Sequence, residues 1–165
     1  MKCAILGNGP SRIAYSPEKN YDLVIGCNIP WTKVDFTVIM DPDVIGVWCK
    51  YNDLITVPIC VGTAAWRYTS TIRFRPYILE KNLFKELYKV PANYSSGHLA
   101  ARKAIELGYK ELDLYGMDSY FEDTMETYTR QHVADNPMNH VQRWRSLWDE
   151  MKSSNPDVVF NFIRE

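Results

Sequence analysis

The 165-residue sequence has no surplus of charge of either sign: 19 lysines and arginines face 20 aspartates and glutamates, a formal net charge of −1. That balance excludes affinity drawn from a general basic surface, so nucleic acid is not an expected partner. No apolar run approaches the roughly 18 to 20 residues that a membrane span needs. The opening MKCAILGNGPS has a lysine and then only a short apolar run before a glycine turn. It reads as a buried strand, not as a targeting leader. Cysteines are few, and Cys3, Cys27, Cys49 and Cys60 include no CxxC pair. With three scattered histidines this is a poor zinc site, and the thiols are expected to be reduced and structural, in a cytoplasmic setting. Repeats, low-complexity tracts and interdomain linkers are lacking too. What remains is a 46% hydrophobic chain, 13% aromatic, sufficient for one closed core over residues 1–165.

Strand and helix signals alternate along that chain. Lys2–Leu6, 22–26 (DLVIG) and 36–40 (FTVIM) are apolar, largely β-branched runs bounded by turn residues, and read as buried strands. Residues 56–61 (TVPICV) read as another, which Pro58 pushes towards a sheet edge. The spacing of Leu99, Ala100, Lys103, Ala104 and Leu107 predicts a helix over 96–107, ended by Gly108 and followed by a strand over 111–115. A second amphipathic helix is expected over 139–151, with Val141, Trp144, Leu147, Trp148 and Met151 inward, and a last strand over 158–163. This alternation predicts an α/β fold: a single Rossmann-like, doubly wound, mainly parallel sheet flanked by helices. Ligands in such sheets sit beyond the carboxyl ends of the strands. The turns 7–11, 27–28, 41–43 and 116–118 should therefore gather on one edge.

Each of those turns has a chemical and a plain interpretation. Gly7-Asn8-Gly9-Pro10-Ser11 has exposed amides suited to phosphate oxygens, or is simply a tight turn. Arg12 stands where a dinucleotide fingerprint needs its third glycine. Ser95-Ser96-Gly97 opens the best helix, where serines cap and the dipole favours an anion. Asp41-Pro42-Asp43 looks like the metal-holding DxD of some glycosyltransferases, but a helix starting at Asp43 with Asp41 as its cap explains the same residues. His140 begins the tryptophan-rich helix, where the positive helix end keeps an imidazole neutral and able to act as a general base. His98 is expected at the surface, and His132 lies in an irregular polar stretch. Tyr120 and Tyr128 sit in a polar segment over about 118–138 that reads as a short lid-like loop.

Taken together, Gly7–Ser11, Cys27-Asn28, Ser95-Ser96-Gly97, the run AIELGYKE at 104–111 and Gly116-Met117-Asp118 resemble bacterial CMP-sialic-acid sialyltransferases of the lipooligosaccharide type. A related pattern occurs in 6-hydroxymethylpterin diphosphokinase-like proteins. The resemblance implies a nucleotide pocket lined by Asn8, Gly9 and Ser11, with Asn28 on the nucleotide or its phosphate. It implies Ser95, Ser96 and Gly97 at the donor phosphate; Asp41 and Asp118, in turns expected on the same edge, are further donor-binding candidates. Tyr120 and Tyr128 would hydrogen-bond the departing phosphate, and His140 would deprotonate the acceptor hydroxyl. The implied reaction is an inverting, metal-independent transfer from a nucleotide sugar, a CMP-sugar favoured, to an acceptor whose identity the sequence does not specify. Asp41 stands in place of the family's asparagine and Asn93 in place of its arginine. Two alternatives stay open: a magnesium-dependent pyrophosphokinase-like enzyme using ATP, and a non-catalytic nucleotide-binding protein. The small size suits a phage or bacterial protein, and the aromatic loop could equally serve a homo-oligomer interface.

Overall fold

The computed structural model describes residues 1–90, 94–123 and 137–164, and side chains for all of these except 137–139. Seven parallel strands form one sheet: β1 (Lys2–Leu6), β2 (Leu23–Cys27), β3 (Phe36–Ile39), β4 (Ile59–Gly62), β5 (Phe84–Tyr88), β6 (Glu111–Tyr115) and β7 (Val159–Phe162), in the order β5-β4-β3-β2-β1-β6-β7. The chain builds outward from β1 to β5, then crosses back to place β6 on the other side of β1. The α/β arrangement read from the sequence is thus present, and the sheet is parallel throughout.

Alternation along β1 sorts the two faces. Cys3 and Ile5 point into a core completed by Leu99, Ala100, Ala101 and Ala104 of α4 (Ser96–Glu106) and by Trp148 of α5 (Pro137–Ser154). Across the sheet, α1 (Pro42–Lys50), α2 (Thr63–Thr71) and α3 (Arg75–Glu80) cover Ile39, Ile59 and Val61. Among the described residues no α-helix joins the third cluster, in which Ala4, Leu6, Val34 and Tyr115 pack with Tyr15 and Tyr21. A polar network accompanies it. Tyr21 donates to buried Asp113 at 2.6 Å, Asn161 donates to the other carboxylate oxygen at 2.9 Å, and Lys2 lies 3.1 Å away. Burial alone would raise the Asp113 pKa; these bonds outweigh it and hold the carboxyl below its usual range.

Several expectations are corrected. Residues 56–61 do not form an edge strand: β4 begins after Pro58, and β5 lies outside it. Proline lacks a donor, but its carbonyl still accepts from Thr37 N at 3.0 Å, so the ladder loses nothing. On α4 Leu99, Ala100 and Ala104 are buried as expected and Gly97 and Ala101 join them, while Leu107 is 44% exposed. Lys103 is half-buried because it reaches Glu86 of β5 at 2.5 Å. Helix α1 starts one residue early, at Pro42, and α5 starts at Pro137. Trp144 is only half-buried, whereas Trp148 is core. No described helix is long and apolar enough to cross a membrane. The lid-like segment falls largely outside the described residues, as do Tyr128, His132 and Asn93.

Candidate functional site

The strand order reverses between β1 and β6, and the loops after these two strands face each other there. They are stitched together. Gly7 N donates to Tyr115 O at 2.7 Å and Gly9 N to Gly116 O at 3.0 Å. Asp118 accepts from Ser11 N at 3.1 Å and from Ser11 Oγ at 3.0 Å, and Ser11 Oγ accepts from Gly116 N at 3.2 Å. Gly9 and Gly116 permit this contact: a Cβ on Gly9 would sit 2.0 Å from Asp118 Oδ2, and Gly116 has φ +67°. The amides of Gly7, Gly9 and Ser11, expected to face a phosphate, are therefore occupied within the protein, and Asp118 places a carboxylate among them.

Next to this clasp, Asn8 is 5% exposed. Its Nδ2 donates to Cys27 O at 2.7 Å, but its Oδ1 has no hydrogen-bond partner among the described residues. A buried acceptor without a donor is costly, about 1 to 3 kcal/mol, and a ligand N–H or O–H would relieve it. Asn28 follows at the end of β2 in the left-handed conformation, φ 63°. Its backbone is held on both sides, by Asn28 N to Val38 O at 2.9 Å and by Thr37 Oγ1 to Asn28 O at 2.7 Å. Its side-chain Oδ1 accepts from Ser96 Oγ at 3.0 Å, and Ser96 Oγ accepts in turn from Met40 N at 3.3 Å. One hydroxyl thus joins the ends of β2 and β3 to the start of α4.

Ser95 caps α4 by accepting from His98 N at 3.4 Å, while its hydroxyl lies 2.7 Å from His98 Nδ1. His98 is not at the surface. It is fully buried, stacks on Trp148 with centroids 4.1 Å apart, and its Nε2 lies 3.0 Å from Trp144 O. A carbonyl can only accept, so Nε2 carries the proton and Nδ1 accepts from Ser95 Oγ. Burial pushes the imidazole pKa down to about 4, against a smaller opposing pull from the Trp144 carbonyl. Gly97 is buried beside Met117. The first turn of an α-helix has amides without intrahelical partners, and at this one the Ser96 hydroxyl reaches the Asn28 carboxamide.

The remaining candidates sit apart from these bonds. Asp41 occupies the N-cap position of α1, where its carbonyl, not its carboxylate, takes the bond from Val44 N at 3.2 Å. Tyr120 stacks on Phe162 at 3.7 Å, and its hydroxyl accepts from Lys152 at 3.2 Å. His140 is half-buried on α5, with Nδ1 3.4 Å from Arg143 and its ring 6.0 Å from that of Trp144. Arg145 anchors the same helix to Ser119 O and Asp123, each at 2.9 Å. Among the described residues, no three His, Cys, Asp or Glu side chains group to hold a metal ion. The parts played by His98 and Arg145 are not legible in the sequence. The only hint is that residue 98 is third in a helix capped by serine, where a side chain folds back on the cap.

No protein-family model matches this sequence, and no curated protein matches it. Structural comparison does find similarity, and it defines the class of fold first: a sialyltransferase-like Rossmann arrangement. The particular structure is the sialyltransferase CST-II in complex with a trisaccharide acceptor and CMP. It aligns with a TM-score of 0.56 at 15% identity, over 99% of this chain and 81% of that one.

Proposed function

We propose that this protein is a sialyltransferase-like glycosyltransferase that moves a sugar from a nucleotide-sugar donor, a CMP-sugar, to an acceptor hydroxyl with inversion and without a metal. The observation that carries the proposal is the joint made by Asn28 and Ser96 at the amino end of α4, beside the unpartnered oxygen of Asn8. That joint gives the site a polarity. Amides of Ser96 and Gly97 and the helix dipole suit the donor's phosphate. Asn8 Oδ1 can only accept, which suits an amino or hydroxyl group of the nucleoside. The shared fold with an enzyme crystallised with CMP supports the same assignment.

In the reaction, His140 takes the proton of the acceptor hydroxyl, and the oxygen attacks the anomeric carbon. The bond from that carbon to the phosphate oxygen breaks, and CMP leaves with the electron pair. Negative charge grows on the phosphate as it departs, so donors aimed there lower the barrier. Tyr120 suits that role because Lys152 donates to its oxygen, which leaves the phenolic proton to be given away. Tyr128 is proposed as a second donor of the same kind.

Thermal unfolding with CMP, CDP, UDP, GDP and ATP, with and without magnesium, tests the site. Ligand at about a hundred times its Kd adds roughly 2.7 kcal/mol, a shift of several degrees. A shift with CMP alone supports the proposal, and a shift confined to ATP with magnesium replaces it by the pyrophosphokinase-like alternative. His140→Ala should then lose transfer by about two to four orders of magnitude while CMP still binds. CMP binding with no turnover of CMP-sugars by the wild-type protein would leave the non-catalytic alternative.

A further inference from the structure

His98 takes no part in the reaction just described, yet it is fully buried on this edge. Two helices meet on it. One is α4, whose amino end would hold the donor phosphate. The other is α5, on which His140 lies one turn before Trp144. Each ring nitrogen serves one helix: Nδ1 accepts from the Ser95 hydroxyl and, more weakly at 3.4 Å, from Ser95 N, and Nε2–H donates to the Trp144 carbonyl. Stacking on Trp148, one turn further along α5, fixes the plane of the ring as well. The bonds are not interchangeable, because the carbonyl dictates the tautomer and the tautomer dictates which way the Ser95 proton points.

We infer that His98 is a positioning residue, which locks the amino end of α4 to α5 and so sets the spacing between the donor phosphate and the His140 base. The inference rests on the function proposed above. Its consequence falls on the chemical step: a base displaced by about 1 Å costs roughly a hundredfold in rate, while ground-state binding is almost unaffected. Without the imidazole the cap keeps the bond from the residue-98 amide to Ser95 Oγ and loses only the reciprocal one from Ser95 N to Nδ1 at 3.4 Å.

Three variants separate the links made by the two nitrogens. His98→Phe keeps a ring on Trp148 and loses both. His98→Gln can place an N–H where Nε2 stands, and His98→Asn can place an acceptor where Nδ1 stands. The expected result for His98→Phe is a kcat reduced about tenfold to a hundredfold for CMP-sugar transfer, with CMP affinity within about threefold of wild type. Glutamine should restore kcat and asparagine should not, because the link to α5 runs through Nε2. Amide hydrogen exchange over residues 141–147 reads the same lock without any substrate, and should quicken in the phenylalanine and asparagine variants only. An unchanged kcat in His98→Phe, a parallel loss of CMP affinity and kcat, or rescue by asparagine instead of glutamine overturns the inference. If the wild-type protein turns over no CMP-sugar, the proposed function has failed. The exchange experiment then decides the lock alone, and equal exchange in all four proteins overturns it.

Discussion

Acid should weaken this fold well before its carboxylates begin to protonate, and His98 is the reason. The imidazole is held at about 4 against an ordinary 6.5, chiefly by burial. Facing it are the Ser95 hydroxyl, the Trp144 carbonyl and the rings of Trp148 and Tyr94, and among the described residues no charged side chain contributes to the shift. Below pH 6.5 the unfolded chain takes up a proton that the folded chain refuses until about pH 4. Stability is therefore lost as pH falls through that window and regained as it rises. At roughly 1.4 kcal/mol per pH unit the full loss is about 3 kcal/mol, about 2 of it gone by pH 5. Asp113 contributes in the same direction, but its carboxyl lies below the usual 3.8, so its share is lost only as pH falls beneath that value. Urea denaturation of wild type and His98→Gln between pH 7 and 4 isolates the histidine. The wild-type curve should slope and the variant should stay nearly flat down to about pH 4.5. Parallel slopes, or a ring titration by NMR centred near 6.5, would refute the argument.

Four further outcomes follow from the geometry. Asp118→Ala strips the acceptor from Ser11 N and Oγ, and should cost about 1 to 3 kcal/mol in urea denaturation; a loss below about 0.5 would mean the clasp is not needed. Gly9→Ala puts a methyl 2.7 Å from the Gly116 carbonyl, where backbone must shift, and should cost about 1 to 3 kcal/mol by the same assay. Asn28→Gly preserves the left-handed backbone but deletes the carboxamide on Ser96. Calorimetry should show CMP binding weakened about tenfold, and unchanged affinity would remove Asn28 from the site. Tyr21→Phe removes one of the bonds that keep Asp113 ionised, so an NMR titration should show that carboxyl rising towards or past its ordinary value.

What the sequence discloses, and what it hides, divides along burial on two faces. β1, β2 and β3 are legible because a strand covered above and below becomes a largely apolar run, as in Cys3–Leu6 and the residues around Val38, whereas β6 shows as Leu112 and Leu114 alternating with Glu111 and Asp113. β5 hides as FKELY: it is one of the two edge strands, with Lys85 exposed and Glu86 spent on Lys103. Helix α2 hides because it buries only Ala65 and Thr69, a stripe too thin to show a period. Hydrogen bonds over long sequence separations are hidden altogether. Ser11 and Asp118 each look like free turn residues until the crossing from β5 to β6 brings them within 3.1 Å.

That last case changes how the edge as a whole is understood. From sequence, the glycine turn after β1 and the serine-capped start of α4 both offer amides to an anion. In the structure the cap at Ser95 is present and the glycine turn is differently engaged. The glycines serve close backbone contact, their amides are taken by Tyr115 and Gly116 carbonyls, and Asp118 adds negative charge where a phosphate would have to come. At the amino end of α4 the His98 amide goes to Ser95 Oγ, and both serine hydroxyls point inward, to His98 and Asn28, with the effect of holding the neighbouring groups still. Amides already taken at the clasp, against a helix dipole at the start of α4, are the physical grounds for proposing the donor phosphate at the helix and not at the glycine turn.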